Sequence, residues 1–249
     1  MKDVLTMSYV NMYAVLRTLE NLCEVDEEAR EIAKKGPVAI GFNVKDGPKA
    51  TLLFHDGKCE LQEGVQGLKL YFASPEKLNA MVDGKGMPIP YGGLTKLGFL
   101  TKDFIRLTDI LTKYLRATEE DLKDRAFFEK STYLMFHLIA NALSAIGNHD
   151  PIATYSAKNL PDGVISMEIT DKTYASITAK DHVLHTENRR AENPRSYMIF
   201  STYDVARGLF DGTLNSFAAL ASGGLSMKGY IPMIDNLNRI LNRVAEYLA

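Results

Sequence analysis

The chain has 249 residues, 46% of them hydrophobic, with 29 Lys and Arg against 31 Asp and Glu, no Trp and 2 Cys. A formal charge of -2 excludes a strongly basic nucleic-acid binder, the cysteine count excludes a disulfide scaffold, and the apolar content excludes low-complexity disorder. The length admits one large domain or two small ones, each able to bury its own core.

In chain order, Val10, Tyr13, Val15, Leu16, Leu19 and Leu22 recur at helical spacing and predict an opening amphipathic helix. Asp26-Glu27-Glu28 sets carboxylates at the start of a short second helix, which Gly36-Pro37 stops. Val38, Ile40, Phe42 and Val44 alternate with Ala39, Gly41 and Asn43, the period of a strand. Asp46-Gly47-Pro48 turns the chain into a strand over Ala50 to His55, and Asp56-Gly57 is a hairpin signal into Lys58 to Leu61. Leu68, Leu70 and Phe72 form a fourth strand. Ser74 and Pro75 open a short helix with Leu78, Met81 and Val82 on one face, and Gly84 ends it. After the Gly-rich segment Tyr91-Gly92-Gly93-Leu94, a short strand is expected over Leu97 to Phe99. An amphipathic helix bearing Phe104, Leu107, Leu111 and Tyr114 then closes the half.

The same order returns. Leu134, Leu138, Ala142, Leu143 and Ile146 mark a helix, and Val164 to Thr170, Tyr174 to Ala179, Val183 to Glu187 and Tyr197 to Phe200 mark four strands. Thr202 caps a helix bearing Ala206, Leu209 and Phe210 that Gly212 ends. Ser222-Gly223-Gly224-Leu225, a strand over Ser226 to Tyr230 and a helix with Ile234, Leu237, Leu241, Val244 and Leu248 follow. The letters repeat weakly and the apolar pattern strongly. Ser8-Tyr9-Val10 matches Thr132-Tyr133-Leu134 at an offset of about 124, Phe72-Ala73-Ser74 matches Phe200-Ser201-Thr202 at about 128, and Gly98-Phe99 matches Gly229-Tyr230 at about 131. The drift means insertions in loops of the second half. Two domains are expected, over residues 1–117 and 118–249, with Thr118-Glu119-Glu120-Asp121 resembling a capping box at the junction. Runs of strands with helices segregated around them predict the α+β class.

Met1-Lys2-Asp3 leads into a mixed stretch rather than an apolar signal core. The longest apolar run, Leu134 to Ile146, is interrupted by His137 and Asn141 and is too short to span a bilayer. The expectation is a cytoplasmic protein with no transmembrane segment, and with Cys23 and Cys59 reduced and buried.

Several stretches resemble the sterol carrier protein 2 family. They are Phe42-Asn43-Val44-Lys45-Asp46-Gly47-Pro48, the run from Phe72 through Asp83-Gly84-Lys85 to Leu94-Thr95-Lys96-Leu97-Gly98, and, in the second half, Phe210-Asp211-Gly212-Thr213 and Gly224-Leu225-Ser226-Met227-Lys228-Gly229. The resemblance covers about four fifths of the chain as two tandem copies, whereas the family is commonly a single domain. It implies, in each copy, a roughly five-stranded mixed sheet with helices on one face and an apolar tunnel between the two layers. It implies carriage of a fatty acid, acyl-CoA or sterol-like lipid, with no chemistry on the ligand and no cofactor. The lining residues would come from one sheet face and the facing helices. In the first copy these are Ile40, Phe42, Leu52, Phe72, Leu78, Met81, Leu107 and Leu111; in the second they are Met167, Ile169, Ile177, Phe200, Leu209, Met227, Leu237 and Leu241. The closing helices, Lys102 to Tyr114 and Met233 to Leu248, would act as lids.

No constellation for catalysis stands out. His182 and His185 fall on opposite faces of an expected strand and cannot share a metal, and His137 reads as a core or boundary histidine. There is no Gly-x-Ser-x-Gly elbow, and Gly84-Lys85-Gly86 lacks phosphate-loop spacing. Arg189, Arg190 and Arg195 form a small basic cluster, either a solvated loop or a contact for an anionic head group. Met81, Met87, Met135, Met167, Met198, Met227 and Met233 fall on expected inner faces, as core filling or as the lining of a promiscuous apolar surface. The expected partner is an apolar small molecule or lipid with transient membrane contact, with homo-oligomerisation left open and no nucleic acid. The alternative is a protein–protein or dimerisation module whose interiors are filled by side chains.

Overall fold

The computed structural model describes residues 2–249 and divides into two units, one ending at Asp124 and one spanning Arg125–Ala249. In the first, the opening helix is broken into α1 (Val4–Val10), a π-helical turn (Asn11–Val15), a 3-10 turn (Leu16–Thr18) and α2 (Leu19–Val25). A single helix was expected. Polar side chains on it bond back to the helix: Ser8 Oγ donates to the Leu5 carbonyl (2.6 Å) and Thr18 Oγ1 to the Ala14 carbonyl (2.8 Å), which bends the backbone. Asn11 is drawn aside to Asn79 (2.9 Å). α3 (Glu27–Ala33) is capped by Asp26, which accepts from the Ala29 N–H at 2.9 Å.

β1 (Val38–Val44), β2 (Lys49–His55) and β3 (Lys58–Glu63) form an antiparallel meander. The chain then crosses β1, so that β4 (Leu68–Phe72) lies parallel to it, and α4 (Pro75–Val82) follows. β5 (Ile89–Gly92) completes the order β3-β2-β1-β4-β5. The expected strand over Leu97 to Phe99 is helical instead. Pro88 and Pro90 hold Met87 and Ile89 extended, so pairing with β4 occurs there, Ile89 opposite Tyr71 and Pro90 opposite Leu70. After Gly93, at φ +68, the chain winds into a 3-10 turn (Leu94–Lys96), a π-helical turn (Phe99–Phe104) and α5 (Ile105–Leu115).

The crossover from β3 to β4, residues 64–67, lies against the outer face of the sheet. Thr51 Oγ1 donates to the Gly64 carbonyl and accepts from the Gln66 N–H, both at 2.9 Å. Gly41 lies beneath it; a Cβ there would stand 2.6 Å from the Gln66 carbonyl oxygen.

Thr118 and Asp121 do form reciprocal bonds, Asp121 Oδ2 accepting from the Thr118 N–H (3.1 Å) and Thr118 Oγ1 from the Asp121 N–H (3.2 Å). They open only a 3-10 turn, Asp121–Lys123, and the next long helix, α6, spans Arg125–His149. α7 (Ala153–Lys158) precedes β6 (Gly163–Ile169), β7 (Thr173–Lys180) and β8 (Val183–Glu187). Residues 188–195 cross to β9 (Ser196–Phe200), followed by α8 (Tyr203–Phe210). α9 (Ser216–Ala221), capped by Asn215, falls in a stretch where no helix was predicted. β10 (Leu225–Gly229) and α10 (Ile231–Leu248) close the chain. The strand order β10-β9-β6-β7-β8 repeats the first sheet, with β6 and β9 parallel and the other pairs antiparallel. Each unit is therefore an α+β layer of one five-stranded mixed sheet with helices. Among the described residues, no helix is long and apolar enough to cross a membrane.

Candidate functional site

Period-two alternation sets the inner face of each sheet. In the first unit Val38, Ile40, Phe42 and Val44 of β1, Ala50, Leu52 and Phe54 of β2, and Leu68, Leu70 and Phe72 of β4 are all buried. Phe42 stacks on Phe72 at 6.2 Å between ring centroids. Phe104 meets Phe42 at 6.2 Å and Phe54 at 6.3 Å, and Phe99 meets Phe54 at 5.3 Å. These are contact distances for rings, so five phenylalanines occupy the space between the sheet and the closing helix. Of the expected lining, Ile40, Phe42, Leu52, Phe72, Leu78, Leu107 and Leu111 are buried, and Met81 is half-buried. Phe54, Phe99 and Phe104 were not singled out. Phe54 had a readable signal, two positions after Leu52 on the same strand face. Phe104 had one too, at helical spacing with Leu107, Leu111 and Tyr114, whereas Phe99 is brought inward by the π-helical turn, which leaves no trace in periodicity.

The second interior differs in chemistry. Met167, Ile169, Ile177, Phe200 and Leu237 are buried, while Leu209, Met227 and Leu241 are half-buried. Phe200 meets Phe210 at 5.4 Å and Phe136 at 6.5 Å. A polar seam runs along α6 where it faces β7 and β8. His137 Nε2 and Thr173 Oγ1 are 2.9 Å apart, Ser144 and Thr186 hydroxyls 2.5 Å, and Asn148 exchanges two 2.8 Å bonds with the Leu184 backbone.

Each closing helix is pinned by the same device. Tyr114 of α5 donates to Asp26 Oδ2 at 3.0 Å, and Tyr247 of α10 donates to Asp150 Oδ2 at 2.8 Å. Asp26 and Asp150 sit at corresponding places, just before α3 and α7, and both cap with a side-chain oxygen. Burial and the Asp26 carboxylate push the Tyr114 hydroxyl up to about 12. In the second unit Arg243 adds bonds of 3.2 and 2.8 Å to Asp150. Burial alone would raise the Asp150 carboxyl, but Arg243, the Ala153 N–H and Tyr247 together hold it down to about 2. α5 and the turn before it are also tied to α3 and its end by Arg106 on Glu28 (2.6 and 2.8 Å) and Lys35 on Asp103 (2.5 Å).

Two open recesses lie in the second unit. One, of about 320 Å³, is bordered by Asn148, His149, Lys158 and His182; the other, of about 450 Å³, lies between α7 and α10 at Ile152, Tyr155 and Arg239. None of the sixteen expected lining residues borders either. His182 sits in the β7–β8 turn at φ +67 rather than in a strand, and it and His185 are exposed. The arginine cluster is held within the chain. Arg189 pairs with Glu187 and Glu192, Arg190 lies over the Tyr174 ring at 5.0 Å, and Arg195 donates to the Asp162 carbonyl at 2.6 Å. Met87, expected on an inner face, is exposed. Both cysteines are free and buried; burial pushes the Cys23 thiol up to about 12 and Cys59 well above its ordinary value.

No family model and no curated protein sequence matches the chain. Among solved structures it is similar to a "UbiJ-SCP2 Ubiquinone synthesis protein", with 18% identity and a TM-score of 0.36, over 45% of this chain and 96% of that one. It is also similar to the sterol carrier protein domain 2 of Helicoverpa armigera (16% identity, TM-score 0.37, 46% of this chain and 89% of that one). A third is a sterol carrier protein 2 (13% identity, TM-score 0.34, 44% and 92%). The chain holds two copies of one α+β domain fold, and these solved structures, each covering about half of it, are sterol carrier protein 2 domains.

Proposed function

We propose that the protein binds and hands on an apolar ligand of the fatty acid, acyl-CoA or sterol class, in the cytosol, and does no chemistry on it. The observation that carries this reading is a shared exposure of large apolar side chains in the segment between α4 or α8 and the closing helix. In the first unit Met87 is 91% exposed, Ile89 60% and Leu94 53%; in the second Phe217 is 79% exposed and Leu220 40%. Two corresponding segments, each beside the helix that closes an apolar interior, offer an entry route. An acyl chain moved from water into such an interior gains about 0.8 kcal/mol per methylene, so ten supply roughly 8 kcal/mol before the cost of immobilisation. That term needs no directional polar contact. The polar groups near the interiors serve structure: Asp26 and Asp150 hold tyrosines, and His137 meets Thr173. The names of the similar sterol carrier domains agree with the reading.

The five packed rings of the first interior favour a second reading, an interaction module with filled interiors. Native mass spectrometry of protein purified from cells, with uptake of a fluorescent fatty acid, separates the two. Co-purified lipid and saturable uptake support carriage; consistently empty protein with no uptake removes it.

A further inference from the structure

We propose that residues 84–102 form a docking surface for an anionic lipid bilayer. The inference rests on the carriage reading, for which the bilayer is donor or acceptor of the ligand. This segment carries Met87, Ile89, Tyr91 and Leu94 with their side chains exposed. Between Gly84 and Lys102 it holds three lysines, Lys85, Lys96 and Lys102, and no acidic residue, in a chain of net charge -2. All three lysines are exposed. Apolar tips and exposed ammonium groups on one segment, flanked by Asp83 and by Asp103, which pairs with Lys35, match the two layers of an anionic membrane surface: acyl boundary for the tips, headgroups for the charges. Tyr91 suits the headgroup level, its apolar ring exposed and its hydroxyl 3.1 Å from Asn43 Nδ2.

The backbone argues against a second copy as the occupant. β5 is the edge strand of the first sheet, where a neighbouring chain would add by main-chain hydrogen bonds. Pro88 and Pro90 lack the N–H groups that such pairing needs. A lipid surface makes no such demand. The corresponding segment of the second unit, residues 212–231, exposes Phe217, Leu220 and Ile231 but has a single lysine, Lys228. Charge-dependent docking is therefore assigned to the first unit alone.

The test is co-sedimentation of the full chain with vesicles of phosphatidylcholine, and with vesicles in which one third is replaced by phosphatidylserine. Each lysine near an anionic surface raises binding roughly fivefold, so the three give a preference of about 100-fold that falls as salt is added. The triple variant K85E/K96E/K102E abolishes the preference. Met87→Ser with Ile89→Ser weakens binding to both vesicle types, and Phe217→Ser leaves the preference intact. Equal binding to the two vesicle types, or an undiminished preference in the triple variant, overturns the proposal. So does concentration-dependent dimerisation lost in the Met87/Ile89 variant of a protein that ignores vesicles. Fatty-acid uptake measured without vesicles keeps the two readings apart. Uptake without vesicle binding refutes docking only, whereas charge-dependent binding without uptake supports docking and removes carriage.

Discussion

Replacing Phe104 by Ala opens the first interior at the point where the closing helix plugs it. The Phe104 ring is buried against Phe42 and Phe54, at 6.2 and 6.3 Å. Its removal costs about 3–5 kcal/mol, from lost transfer energy and the hole left behind. That hole is on the order of 100 Å³, near the size that admits a small apolar solute into a dry protein interior. A ligand that enters returns stability by mass action, about 2.7 kcal/mol at one hundred times its dissociation constant. Urea unfolding followed by circular dichroism reads both effects from the midpoint, provided the slope is unchanged. Without ligand the Phe104→Ala midpoint falls; with excess fatty acid it recovers by about 2–3 kcal/mol, and wild type gains as well. Midpoints of both proteins indifferent to fatty acid would show that the interior takes no acyl chain. A loss below about 1 kcal/mol would show that the ring does not fill the space.

The remaining predictions concern the second unit and the thiols. The Asp150 carboxyl is depressed to about 2, so its contribution is present above the ordinary carboxylate range near pH 4 and is lost as pH falls through about 2. With screening through the recess that reaches Arg243, the loss is about 1–2 kcal/mol; Asp150→Asn, already destabilised at neutral pH, lacks this acid limb in urea midpoints measured against pH. His182→Gly raises stability by about 0.5–1 kcal/mol. His182 holds a left-handed conformation at the second position of a two-residue turn, where the first unit has Gly57; an unchanged thermal midpoint would contradict this. Cys23 and Cys59, protonated and buried, react with a disulfide reagent roughly a thousandfold more slowly in the native protein than in denaturant, as absorbance of the released thiol reports.

Local chemistry was legible where one residue type dictates a backbone. Asp56-Gly57 turns at φ 48 and 78, and Gly84 and Gly212 end their helices at φ 71 and 69, as their sequence contexts require. Thr202 caps α8 through the Val205 N–H, whereas Ser74 holds the cap position of α4 with its side chain on that of Glu76 and not on a helix N–H. The repeat exposed the shared succession of elements along the chain because alternation survives sequence divergence, while the order of strands within each sheet was not read from it. Other features were hidden. The last strand of the first sheet was sought after the Gly-Gly pair, but Pro88 and Pro90 place it before. The tyrosine–aspartate pins join residues 88 and 97 positions apart, and only the matching places of Asp26 and Asp150 in the two halves hinted at them. Phe104 was legible from its helical spacing with Leu107 and Leu111, but Phe99 enters the interior through the π-helical turn, and no pattern of apolar spacing records such a turn.

The bare Cα at position 41 has a bearing on how the halves have diverged. Its counterpart at the fourth position of the equivalent strand is Ser166, which carries a Cβ and a hydroxyl, and the connection over the second sheet, residues 188–195, is four residues longer than residues 64–67. The short strap requires the glycine and the longer one does not, so strap length and strand residue form a matched pair. A chimera grafting residues 64–67 into the second half would need Ser166→Gly alongside it, and the reverse graft would release position 41 to accept alanine.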